Sequence, residues 1–251
     1  MTMKGPQMKG TELGLNKTGL QMSPGDMKKM LEVTELTTPS SEGSDQALAE
    51  IRLRYIAAAD PVGSVPPPAT LKGAVKTGAK MMTGNRPQVL IDKLGERLAF
   101  ERTGVRLYDA LITKFMGQPD VPPMVSLDEL NHHRLEEAEH MALVKECIEQ
   151  LGGDPTVQTP CADVAGVEGA GLMQVVTDPK TTFMQSLHAI LVAELADNAA
   201  WEELIELARQ MGHDDMVARF EEASQHEQEH LENVKQWHLA GTLADAKMKT
   251  H

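Results

Sequence analysis

Aromatic residues make up only 3% of the 251-residue chain, and its two cysteines, Cys147 and Cys161, form no C-x-x-C pair. The first shortage excludes an aromatic platform of the kind that stacks single-stranded nucleic acid. The second leaves no basis for a rubredoxin-type iron–thiolate site or a disulfide framework; Cys147 falls on an apolar helical face and is expected in the core. No run of 18 apolar residues is present to cross a bilayer. The N-terminal MTMKGPQMKGTELG lacks the apolar stretch of a secretory signal, so a cytoplasmic protein is expected. Positive charge is scarce as well. A net charge of −13 argues against nucleic acid or an anionic membrane as partner.

What the chain does have is acid, unevenly placed. Residues 1–88 carry 11 Lys/Arg against 8 Asp/Glu, whereas residues 89–251 carry 13 against 29. The first 87 residues read as an extension of short helices and linkers. One helix is expected from Ser23-Pro24-Gly25-Asp26 to Leu36 and a second over residues 45–59. PVGSVPPPAT (61–70) is a linker by composition. Lys72, Lys76 and Lys80 recur at a helical interval beyond it.

From residue 88 four long helical patterns follow. The first spans about 88–116 and ends at Gly117-Gln118-Pro119. The second opens on the capping box Ser126-Leu127-Asp128-Glu129 and closes at Gly152-Gly153. The third is expected to begin at Asp178-Pro179 and stop at Gly212, and the fourth to run from Asp214 to Gly241, leaving a tail over 242–251. Short connections make the first and second, and the third and fourth, antiparallel hairpins. Residues 154–177 are long enough to cross between them. The expected fold is all-α: a four-helix bundle of two hairpins joined by one long crossover.

Each apolar seam is interrupted by a carboxylate. The seams read Leu94, Leu98, Glu101, Val105, Tyr108, Ile112, Phe115; then Leu130, His133, Glu137, His140, Met141, Val144, Ile148; then Phe183, Leu187, Ile190, Leu191, Glu194, Asp197, Trp201, Ile205; and Phe220, Ala223, Glu227, His230, Leu231, Val234, Trp237. Glu101, Glu137, Glu194 and Glu227 lie near the middle of their helices, so antiparallel packing brings them to one level. Four buried, ionised carboxylates need compensation. Two divalent cations supply it, and oxygen-rich ligation with one imidazole per metal suits iron or manganese better than structural zinc. In Glu137-x-x-His140 and Glu227-x-x-His230 the pair shares one helix face. Each Glu can therefore bridge two metals while its His caps one, with Glu101 and Glu194 as terminal ligands. Glu136 and His226 either orient the opposite His ligands through their ring N–H groups or face solvent. His133 is expected to be solvated, with a role as a shuttle or an entry ligand as the alternative; His132, Glu139 and Glu229 are assigned to the surface.

This pattern of Glu, Glu-x-x-His, Glu, Glu-x-x-His over about residues 88–240 resembles the ferritin-like di-iron carboxylate family, most closely rubrerythrin and bacterioferritin centres without a rubredoxin domain. The resemblance implies two iron ions per chain, with manganese or a mixed pair left open. It implies that Tyr108 hydrogen-bonds a ligand carboxylate, unless it serves core packing. It also implies that Asp197 is a hydrogen-bonding neighbour or an extra ligand. The activity implied is Fe(II) oxidation or peroxide reduction, with dioxygen or hydrogen peroxide and an external electron donor as partners, in a homo-oligomer of two or more chains. Iron storage or association with a compartment, and oxidation of an organic substrate, are the other activities the resemblance covers.

Overall fold

The computed structural model describes residues 15–16, 19–20, 32, 45–58, 87–117 and 121–247. The chain divides into two compact units, Met1–Asp60 and Pro61–His251. In the first, strands β1 (Leu15–Asn16) and β2 (Gly19–Leu20) form an antiparallel pair, and helix α1 spans Asp45–Ala58. The helix expected over residues 23–36, apart from the helical Glu32, and the Lys72–Lys80 repeat lie outside the described residues.

The described part of the second unit is all-helical: α2 (Pro87–Gly117), α3 (Leu127–Gln150), α4 (Pro160–Thr177), α5 (Phe183–Gln210) and α6 (Asp214–Lys247). Contacts close α2, α3, α6 and α5 into a ring, and side-chain pairings give the directions. Tyr108 with His133 sets α2 antiparallel to α3, Glu146 with Arg219 sets α3 against α6, Arg209 with Glu221 sets α6 against α5, and Phe115 with Phe183 sets α5 against α2.

Residues 154–177 cross the bundle as expected, but mostly as a helix. Thr159 caps α4 and Pro160 starts it, where a missing N–H has no consequence. The helix runs parallel to α2, from Thr159 beside Asp92 to Asp178, whose carbonyl accepts a hydrogen bond from Lys114 Nζ. Small side chains allow the close approach, with Ala99 packed against Ala162 and Ala165. Asp178 therefore ends α4 rather than starting the third bundle helix. Its carboxylate accepts the Lys180 N–H in a turn, and Thr182 and Gln185 form the capping box of α5. The box of Ser126 and Glu129 on α3 is as expected. Gly212, at φ 73°, turns the chain between α5 and α6, a conformation glycine adopts without strain. Gly241 does not end α6; it lets the helix pass Met184 and Pro122 and continue to Lys247.

The seams of α3 and α6 are buried largely as expected. That of α2 is rotated: the buried line is Leu90, Leu94, Arg97, Glu101, Gly104, Tyr108 and Leu111, while Leu98, Val105, Ile112 and Phe115 are only partly buried. An arginine and a glycine on the inner face disguise the stripe, and the cover provided by α4 buries Ala99 on a second side. Two apolar clusters flank the polar middle, one around Leu107, Phe183 and Trp237, the other around Leu90, Cys147, Trp201 and Phe220. Phe220→Ala is expected to destabilise the chain by about 3–5 kcal/mol, whereas the exposed Leu135→Ala stays within about 0.5 kcal/mol. Denaturant unfolding of both variants checks the difference.

Candidate metal centre

All six expected ligands, Glu101, Glu137, His140, Glu194, Glu227 and His230, are buried between the two apolar clusters. Their ligand atoms gather in two overlapping groups that can hold a metal ion. Glu137, Glu194, Glu227 and His230 form one; Glu101, His140 and Glu227 form the other. Glu227 belongs to both, which suits a bridging carboxylate. Glu137, expected to bridge as well, groups with the His230 set.

Both imidazoles turn Nδ1 toward the carboxylates. His230 Nδ1 lies 3.2 Å from Glu227, 3.8 Å from Glu137 and 4.0 Å from Glu194. His140 Nδ1 lies 2.6 Å from Glu227 and 3.8 Å from Glu101. The other ring nitrogen is held from the opposite helix in each case: His230 Nε2 lies 2.9 Å from Glu136, and His140 Nε2 lies 3.3 Å from His226 Nδ1. The residues that precede the two Glu-x-x-His pairs thus support the imidazole across the bundle. A ring N–H committed to such a partner leaves the other nitrogen's lone pair for a cation.

The electrostatics of this interior point the same way. Burial, and then the repulsion of neighbouring carboxylates, pushes Glu137 and Glu227 well above the usual carboxylate range. Burial and Asp197 do the same to Glu101, and burial takes Glu194 up to about 7. Burial also lowers His140 to about 3, so its ring is neutral, as a ligand must be. Carboxylate oxygens of Glu101, Glu137, Glu194 and Glu227 and the His230 Nδ1 are buried without a hydrogen-bond partner. Buried polar atoms are rarely left so, and here they face one another, so the donor set fits divalent cations.

Tyr108 and Asp197 take different places. Tyr108 donates to Glu194 Oε1 at 2.5 Å and lies 3.2 Å from His133 Nδ1. Asp197 is the counter-ion of Arg97, a buried guanidinium that also approaches Glu101 Oε1 at 3.3 Å. Asp197 therefore reaches the ligands through Arg97 and belongs to neither ligand group. If all ionise, the four ligand carboxylates and Asp197 face one arginine; Arg97 and Asp197 cancel, and four negative charges remain for bound cations to offset, while Glu136, also buried, sits behind His230.

Four contributors escaped the sequence reading. Arg97 stands one turn before Glu101, a spacing that suits an ion pair. Gly104 makes room for Glu137, whose carboxylate occupies the space a methyl group would take. His133, expected in solvent, is buried and stacked between His230 and Trp237, with Asn233 3.2 Å from its Nε2. Asn198 bonds the carbonyls of Glu194 and Glu227, both at 2.9 Å, and ties α5 to α6 at the level of the site. His132, Glu139 and Glu229 are exposed as expected. No helix among the described residues is long and apolar enough to cross a membrane.

The family described as "Domain of unknown function (DUF892)" matches residues 85–247. No curated protein and no solved structure matches the chain.

Two expectations test the centre. Without metal, the raised carboxyl groups bind more protons folded than unfolded, so stability falls as pH rises through about 7. The lowered His140 and His133 act in the opposite sense only below about 6.5, the ordinary histidine value. The melting temperature of the metal-stripped chain is thus expected to fall from pH 6.5 to 8, and added Mn(II) to raise it more at pH 8. Gly104→Ala, which displaces the Glu137 carboxylate, is expected to weaken metal binding at least about tenfold while circular dichroism stays helical; plasma emission analysis of the dialysed protein measures the loss.

Proposed function

The chain belongs to the DUF892 family, and we propose that it is a ferritin-like di-iron carboxylate protein that reacts with dioxygen or hydrogen peroxide. The observation that carries this reading is the pair of buried Glu/His groups sharing Glu227, each with one imidazole. The antiparallel ring, with its crossover from α3 to α5, is the arrangement expected of that superfamily.

Two ferrous ions, if bound there, would supply one electron each, enough to take hydrogen peroxide and two protons to two waters. The chain's own residues do the rest. Glu101 and Glu194 offer terminal carboxylates and Glu227 a shared one. His140 and His230 offer nitrogen from the α3–α6 side. Tyr108 holds one oxygen of Glu194 and so fixes which oxygen is free.

A small cavity on the opposite, α2–α5 side favours a small oxidant over an organic substrate. It measures about 10 Å³ and is lined by Phe100, Gly104, Leu107 and Ile190, with Tyr108 and Glu194 at its wall. That is room for about one water-sized molecule. With no C-x-x-C pair in the chain, electrons to restore the ferrous state come from an external donor.

The test is anaerobic loading with Fe(II), followed by separate titrations with oxygen and peroxide, monitored by near-ultraviolet absorbance. Oxidation faster than in buffer, at two iron ions per chain, is expected; no oxidation by either reagent above buffer sinks the proposal. Glu137→Ala combined with Glu227→Ala is expected to abolish two-metal binding in a still-helical protein. Tyr108→Phe is expected to retain both metals and slow oxidation about tenfold or more, measured by stopped-flow absorbance.

A further inference from the structure

Resting on the two-metal reading, we infer that the two halves of the centre are unequal. Glu137, Glu194, Glu227 and His230 form a tight metal position, and Glu101, His140 and Glu227 a weaker, exchangeable one reached through a pocket between α3 and α6.

Four independent features separate the halves. The first is the donor set: four ligand atoms converge around His230, and three around His140. The second is the group behind each imidazole. Glu136 accepts from His230 Nε2 at 2.9 Å, and a carboxylate there raises the basicity of the ring and so its grip on a cation. His140 has an imidazole in that place, His226, rather than a carboxylate, at a longer 3.3 Å. The third is Arg97, whose Nε lies 3.3 Å from Glu101 Oε1. Although its charge is paired with Asp197, the guanidinium stands directly on a terminal ligand and competes with a metal for that oxygen. Glu194 has the neutral Tyr108 hydroxyl in the corresponding role.

The fourth feature is access. A surface pocket of about 210 Å³ is lined by Glu139, His140, Arg219, Glu222 and His226, so it reaches an imidazole of the weaker position directly. His226 is about one-third exposed and lies 3.3 Å from His140 Nε2, the ring nitrogen opposite the metal-facing Nδ1. His230 is sealed from solvent by Glu136 and by the His133 and Trp237 stack. A cation lost from the His140 position can leave past the partly exposed His226 side chain; the His230 position instead adjoins the cavity of about 10 Å³ at Glu137 and Glu194, which is too small to pass a hydrated cation.

The experiment uses the full chain, stripped of metal, titrated anaerobically with Co(II) and followed by calorimetry and visible absorption. Two binding steps are expected, with dissociation constants at least about tenfold apart. Challenge of the loaded protein with a chelator is expected to remove one cobalt quickly and the other slowly. Glu136→Gln, close in shape to the native side chain, is expected to weaken the first step about 10–100-fold, the range for loss of a partner behind a ligand, and to spare the second. Glu101→Gln is expected to remove the second step and leave the first, which identifies the positions even if one variant folds poorly. Two cobalt ions bound with one affinity, or a first step lost in Glu101→Gln, overturns the inference alone. Fewer than two ions bound to the wild type overturns the two-metal centre and the inference with it.

Discussion

Four carboxylates buried in a helical interior are the constraint to which the second unit is built. Glu101, Glu137, Glu194 and Glu227 are each at most 3% exposed, and burial alone would drive them to hold protons at neutral pH. An interior of this kind is stable in two ways, by protonation or by cations. The neutral His140 imidazole and the unpartnered oxygens facing one another fit the second. Apolar clusters above and below keep water out and hold the helices at the spacing the ligands need.

The two hairpins repeat a pattern and then break it. Glu101 and Glu194 correspond, as do the two Glu-x-x-His pairs, but their neighbours differ. Three residues after Glu101 stands Gly104, and three after Glu194 stands Asp197. Seven after them stand Tyr108 and Trp201, and before the Glu-x-x-His pairs stand Glu136 and His226. The exchanges work across the bundle. Gly104 of α2 admits Glu137 of α3, Asp197 of α5 neutralises Arg97 of α2, and Tyr108 of α2 binds Glu194 of α5. A centre assembled from two similar halves thereby acquires two different sides: imidazoles and a surface pocket toward α3 and α6, a small apolar cavity toward α2 and α5.

Much of this could be read without coordinates where the signal is local. The Ser126–Glu129 capping box, the Glu-x-x-His spacing and the mid-helix carboxylates are periodic features of single helices, and they are where the sequence reading places them. It fails where one helix is buried on two sides. The seam of α2 was misplaced because Arg97 and Gly104 sit on its inner face and α4 covers its outer one. Pro and several Gly made residues 154–177 look like a connection. In fact Pro160 begins a helix, and the small residues allow it to lie close on α2. His133 looked like one more polar residue on an acidic helix until Trp237 and His230 closed over it.

The sequence alone determined that the chain from residue 88 builds long helices, and that four carboxylates and two imidazoles share their interior level, because period and spacing along one chain decide which residues share a face. Only the tertiary structure decided their roles. Whether Glu136 supports a ligand or faces water, whether Asp197 is a ligand or a counter-ion, and which carboxylate both halves share depend on the helix lying opposite. That pairing is set by the packing of side chains from segments up to 100 residues apart, as between Arg97 and Asp197, and no local pattern in the chain encodes it.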